Sequence, residues 1–123
     1  MASIHANLLS RAIASLARVY RFQHPSEVAT FLQKHPNLVP LLEEARPIIA
    51  RLFGPETPVS VDVVYDPEGD EDDCRLFAFI EIARPVAEAM PLLDRFRDVW
   101  WIAASWDARR LLEFSLRYVY GQV

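Results

Sequence analysis

A chain of 123 residues with 52% hydrophobic and 24% charged content has the length and composition of one folded domain and not of a disordered tail. Its formal charge of −4 offers no basic stripe to nucleic acid, and no run approaches the ~18 uninterrupted apolar residues of a membrane span. Cys74 is the only cysteine, which excludes a disulfide within the chain and suits a reducing compartment. Residues 1–22 carry Arg11, Arg18 and Arg21 among the apolar positions, so no uninterrupted signal core is read there and the expected location is the cytoplasm. The acidity is local. Six acids lie between Asp66 and Asp73, and outside that segment 13 basic residues face 11 acidic ones.

Ser3–Phe22 is predicted to be an amphipathic helix, with Ile4, Leu8, Ala12, Ile13, Leu16, Val19 and Tyr20 at helical spacing. His24-Pro25 ends it, and Ser26 is a candidate cap for a short helix over Glu27–Lys34. A second break at His35-Pro36 precedes a third helix, Leu38–Phe53. Asn37 is its candidate cap, and Pro47 is expected to kink or split it. Gly54-Pro55 is a strong stop.

From Val59 the period changes from 3.6 to 2. Val59, Val61, Val63 and Tyr65 alternate with Ser60, Asp62, Val64 and Asp66 as in a half-buried strand. A long acidic loop follows, and then a second strand with Leu76, Ala78, Ile80 and Ile82 on one face and Phe77, Phe79 and Glu81 on the other. The two strands should form an antiparallel hairpin. Pro85 opens a helix expected to run to about Asp98, with Val86, Ala89, Met90, Leu93 and Phe96 inward. Trp100, Trp101 and Trp106 fall in the connection to a last strand, Leu112–Tyr120. The expected architecture is therefore α+β: N-terminal helices over residues 1–54, then a ββαβ unit over 59–123 with a three-stranded sheet, all in a single domain.

Recognised chemistry is sparse. Gly54, Gly69 and Gly121 are the only glycines, which excludes a G-x-G-x-x-G or phosphate-binding loop. Counted from Asp66, glycine stands fourth and the twelfth residue is Phe77, so the acidic loop is not an EF-hand and reads as a solvated hairpin tip. His5, His24 and His35 lack zinc-ligand spacing, and no histidine stands near Cys74 in sequence to form a nucleophilic pair. Asp62, Glu81, Glu113 and Arg117 are expected to share the second face of the sheet as cross-strand charge pairs. No catalytic, cofactor-binding or metal-ligating residue is assigned, and no cofactor is expected.

Aromatic residues stand out instead. Trp100 and Trp101 are adjacent and should diverge by ~100° on a helix, one entering the core and the other meeting a second surface. Phe77 and Phe79 lie opposite the Leu76/Ile80 row, where either the N-terminal helices or a partner must cover them. The interface candidates are thus Trp100, Trp101, Trp106, Phe77 and Phe79.

The segment Phe31–Val119 carries His35-Pro36-Asn37-Leu38-Val39-Pro40-Leu41-Leu42-Glu43-Glu44-Ala45, then Phe53-Gly54, Asp66-Pro67-Glu68, Leu93-Asp94-Arg95-Phe96 and Trp100-Trp101. In these features it resembles a set of uncharacterised bacterial proteins of similar length, some encoded beside PIN-type ribonuclease toxins. The resemblance implies an antitoxin or accessory role, although this chain lacks the basic DNA-binding arm common in such antitoxins, and it transfers no functional residue. The reading that results is a non-enzymatic protein–protein interaction module, self-associating or binding a protein partner, without nucleic acid or membrane. The alternative is a small enzyme or ligand-binding domain with a pocket between helices and sheet.

Overall fold

The computed structural model describes residues 3–65, 68, 74–104, 108 and 111–119, with side chains from Asn7 onward. Trp106, Tyr120 and all of the Asp66–Asp73 loop except Glu68 lie outside the described residues. The elements run α1 (Ser3–Val19), β1 (Arg21–Phe22), α2 (Pro25–Lys34), α3 (Leu38–Phe53), β2 (Val59–Tyr65), β3 (Cys74–Ile82), α4 (Val86–Phe96), a π-helical turn (Arg97–Trp101), α5 (Ile102–Ala104) and β4 (Leu112–Tyr118). The fold is α+β, but the sheet has four strands in the order β1-β2-β3-β4 and not three. The missed strand is the end of the expected first helix. α1 stops at Val19, and Arg21 and Phe22 extend to pair in parallel with Ser60 and Val61.

β2 and β3 form the expected antiparallel hairpin, with Val61 opposite Ala78 and Val63 opposite Leu76. β4 lies parallel to β3, with Ala78 opposite Phe114. Two parallel pairs, β1–β2 joined through α2 and α3 and β3–β4 joined through α4, thus meet back to back along the central hairpin.

Register and alternation sort the side chains onto two faces. Val59, Val61, Val63, Leu76, Ala78, Ile80, Leu112 and Phe114 are all buried and belong to one apolar cluster. That cluster takes Ile13 and Leu16 from α1 and Tyr20 just past it, Val28, Phe31 and Leu32 from α2, Leu42, Ala45 and Ile49 from α3, and Ala89, Leu93 and Phe96 from α4. Every long helix therefore packs on the same side of the sheet. Leu8, Val19, Val86 and Met90, expected inward, are exposed: the inward stripes run instead through Ile13–Leu16–Tyr20 and Ala89–Leu93–Phe96 at spacings of three and four residues.

Two junctions hold α1 against α3. The buried Tyr20 hydroxyl donates to the Leu42 carbonyl at 2.6 Å, and burial drives its pKa strongly upward, so it stays a neutral donor. Arg46 donates through Nε to the Val19 carbonyl at 3.1 Å and through Nη2 to the Thr57 carbonyl at 3.0 Å. One side chain thereby caps the end of α1 and pins the loop leading into β2.

Helix starts differ from the expected caps. α2 begins at Pro25 with His24 as its cap residue, and no side-chain capping bond forms. Proline at the first position already has helical φ, so Ser26 is inside the helix and not before it. Asn37 precedes α3 without a side-chain bond, and α3 runs unbroken through Pro47. Gly54 ends α3 at φ +113° and ψ 144°, a conformation essentially reserved to glycine. A Cβ placed there would meet Thr57 Oγ1 at an ordinary 3.5 Å, so the cost of adding one is conformational. Gly54→Ala should lower unfolding free energy by about 1–3 kcal/mol, measurable by denaturant titration, with no change in the helical CD spectrum.

Candidate functional site

The second face of the sheet is where the chemistry-bearing residues gather. Register places Arg21, Ser60, Phe79 and Ser115 in one row across the four strands. The next row holds Asp62, Phe77 and Glu113, with Val64 and Arg75 beyond it and Glu81 beside Arg117 at the other end. Phe77 and Phe79 remain partly exposed, and none of the described helices contributes its buried stripe to this side. Of the two covers the sequence left open for these rings, the N-terminal helices pack their buried stripes on the other side among the described residues.

The two rings stack, with centroids 5.5 Å apart and planes 18° from parallel. The Arg117 guanidinium lies 4.1 Å from the centre of the Phe79 ring, a cation–π contact. Arg117 stands opposite Glu81 in register, yet it turns diagonally onto the phenylalanine. Glu81 looks the other way, accepting from the fully buried Ser60 hydroxyl and pairing with Arg21 Nη1 at 3.4 Å, both through Oε2.

The remaining acids are engaged with backbone. Asp62 Oδ1 accepts from the amide of Val63 at 3.0 Å, and Glu113 Oε1 from the amide of Phe114 at 3.3 Å. These amides sit where β2 and β4 have no neighbouring strand among the described residues. Leu111 and Val119 bond to β3, so the alternate residues of β4, Phe114 among them, turn their backbone groups outward. Glu113 thus blocks the middle of an edge. Among the described residues these carboxylates are thus bonded separately to backbone, serine or arginine.

Asp62 has a second partner that the sequence did not reveal. His24 Nδ1 lies 2.9 Å from Asp62 Oδ1, and Glu27, one turn into α2, completes a group whose donor atoms lie within 4.8 Å of one another. One imidazole and two carboxylates could converge on a divalent cation, although His24 and Glu27 are solvent-exposed and His24 Nδ1 is already engaged by Asp62 Oδ1. That bond, together with the charges of Asp62 and Glu27, raises the His24 pKa.

The tryptophans lie elsewhere. Beyond α4 the helix continues past Asp98 through the π-helical turn, where Ile102 donates to the Arg97 carbonyl. The wider turn brings both adjacent tryptophans toward the core. Trp101 is 5% exposed, with its ring 4.8 Å from Phe114. Trp100 is half-buried, 5.6 Å from Phe96 and 6.2 Å from Phe114. The expected divergence, one ring in and one ring out, gives way to a single aromatic cluster on the helix side of the sheet. Other exposed apolar residues among those described stand in pairs on separate elements: Leu8 and Val19 on α1, Val64 and Tyr65 at the end of β2, Val86 and Met90 on α4, Val99 and Ile102 past it.

A cavity of about 460 Å³ opens at the end of the sheet, between the Gly54–Pro58 loop and the segment from Glu81 to Arg84. Among the described residues its one lining hydroxyl, Thr57 Oγ1, donates to the Phe53 carbonyl at 2.8 Å. Among the described residues no helix is long and apolar enough to cross a membrane. Comparisons with protein-family models, curated proteins and solved structures give no match.

Two outcomes are expected. Trp101→Ala should destabilise the fold by about 3–5 kcal/mol through cavity formation, seen as an earlier urea midpoint. The His24 ring holds its proton more tightly in the folded chain. Its stabilising contribution is therefore complete below the ordinary histidine pKa of about 6.5 and is lost as pH rises through the higher folded value. Comparing melting temperatures of wild type and His24→Asn across that window should show the two curves converging on the alkaline side.

Proposed function

We propose that this chain is a non-enzymatic protein-interaction module of the cytoplasm, and that it docks through the uncovered face of its sheet. The observation that carries this reading is the stacked Phe77–Phe79 pair, left partly exposed on a sheet whose other face holds the core. Two aromatic rings fixed against each other, with a guanidinium laid on one of them, lose little side-chain entropy when a second surface closes over them. Aromatic and arginine side chains are also the residues that dominate interface energetics. The resemblance to proteins encoded beside PIN-type toxins gives the module an antitoxin-like or accessory role.

If Arg117 and the flanking polar side chains were cover enough for the rings in the free chain, no partner would be needed. A double variant separates the two cases. Phe77→Ser with Phe79→Ser should keep the helical CD spectrum, because neither ring belongs to the buried cluster. It should also lose every complex the wild type forms, with itself by sedimentation or with a co-expressed PIN-type neighbour by co-purification. Complexes that persist in the folded double variant would overturn the proposal.

A further inference from the structure

We infer that the occupant of the open face is a second copy of the chain, packed sheet to sheet about a two-fold axis that passes between Phe77 and Phe79; this rests on the docking role proposed for that face. Charge favours such an occupant. Within a chain of net charge −4, this face is balanced: Asp62, Glu81 and Glu113 against Arg21, Arg75 and Arg117. A neutral patch carrying both signs has little to attract a strongly acidic or basic partner, but it can complement itself.

Register then selects the axis. An axis along the strands through β3 would bring Asp62 against Glu113, which stand level on either side of Phe77, and like charges would meet. An axis in the interface plane and perpendicular to the strands exchanges the two ends of β3 instead. Phe77 then lies on the partner's Phe79, Glu81 meets the partner's Arg75, and Asp62 and Glu113 face the partner's Ser60 and Ser115. The opposition at the axis is aromatic on aromatic and the one further along β3 is acid on base, while Arg117 and Val64 fall opposite the partner's Leu111 and Pro58, so that no two like charges meet. Among the described residues both side-chain contacts of Glu81 within its own chain fall on Oε2, so a partner's guanidinium would address Oε1. Sheets packed in this way cross at about −30°, a rotation small enough to keep the central oppositions.

The competing mode, extension of the sheet edge to edge, is obstructed. β4 is an outer strand, but the outward amide of Phe114 is taken by Glu113 Oε1 at 3.3 Å. Antiparallel addition of another β4 would have to break that bond and bury the carboxylate. Face-to-face packing leaves it in place.

Sedimentation velocity over a dilution series tests the arrangement, using wild type, Arg75→Glu, Arg75→Lys and the Phe77→Ser/Phe79→Ser pair, each checked for fold by CD. A reversible wild-type dimer is expected. Arg75→Glu, an exposed substitution, sets two acids against each other twice per dimer and should weaken it by at least about tenfold, while Arg75→Lys should keep it and the serine pair should abolish it. A wild type that stays monomeric overturns the second copy as occupant and leaves the face to a different protein. A dimer untouched by the serine pair overturns both the inference and the docking role of the face. A dimer lost in the serine pair but indifferent to Arg75→Glu overturns the two-fold arrangement alone.

Discussion

One-sided burial is the constraint from which the rest of this structure follows. The apolar alternation of β2, β3 and β4 points to a single face, and α1 through α4 all direct their stripes at it. Closing the helices over that face takes its apolar side chains out of water, which is the main driving force for folding. Among the described residues there is no second set of helices for the other side. Whatever stands there must tolerate solvent or find a partner. Most of its residues do tolerate solvent: serines, carboxylates and arginines, several of them bonded to one another or to edge amides. Phe77, Phe79 and, at the end of β2, Val64 are the exceptions among the described residues; the stacking of the two rings, with Arg117 laid on Phe79, limits their exposed area without closing it off.

The parts of the fold that could be read from the amino-acid sequence are those whose signal is local. Val59–Tyr65 and Leu76–Ile82 announce themselves by alternation, α3 by its leucine spacing and Asn37 and Gly54 boundaries, and Cys74 by being alone. Strand β1 could not be read, because Arg21 and Phe22 are too few to show a period and owe their conformation to Ser60 and Val61 across the sheet. The ion pair of His24 and Asp62 was hidden for the same reason: it exists only because β1 delivers His24 to the edge of β2. The π-helical turn was equally silent. Its wider winding places both rings beside Phe114 and reverses the expectation that Trp100 and Trp101 part company.

The candidate site was legible in outline and not in emphasis. Asp62, Glu81, Glu113 and Arg117 do share a face, as alternation requires. Their partners, however, are set by contacts that no pattern displays: Glu81 with Ser60 and Arg21, Arg117 with a ring, Glu113 with its own strand. The aromatic surplus divides into two populations. Phe96, Trp100, Trp101 and Phe114 form an internal cluster that locks α4 onto β4, whereas Phe77 and Phe79 stand apart on the opposite side of the sheet. Adjacent tryptophans are conspicuous in a sequence, and a pair of phenylalanines at i and i+2 is not. A reading by pattern is therefore drawn first to the rings that the fold turns inward.

The arrangement of the strands also bears on how the chain reaches this state. Among the described strands only the central hairpin joins its strands without an intervening helix; Arg21 must find Ser60, and Leu76 must find Leu112, across roughly 35–40 residues each. Contacts of that span carry the largest entropic cost of closure and form late. β2 and β3 therefore act as a template on which the two outer strands condense, each drawn in by the helices between. Until that happens both flanks of the hairpin are unpaired, and the acids between Asp66 and Asp73, which join its two strands, keep like-charged nascent chains apart during the interval when they are most apt to aggregate.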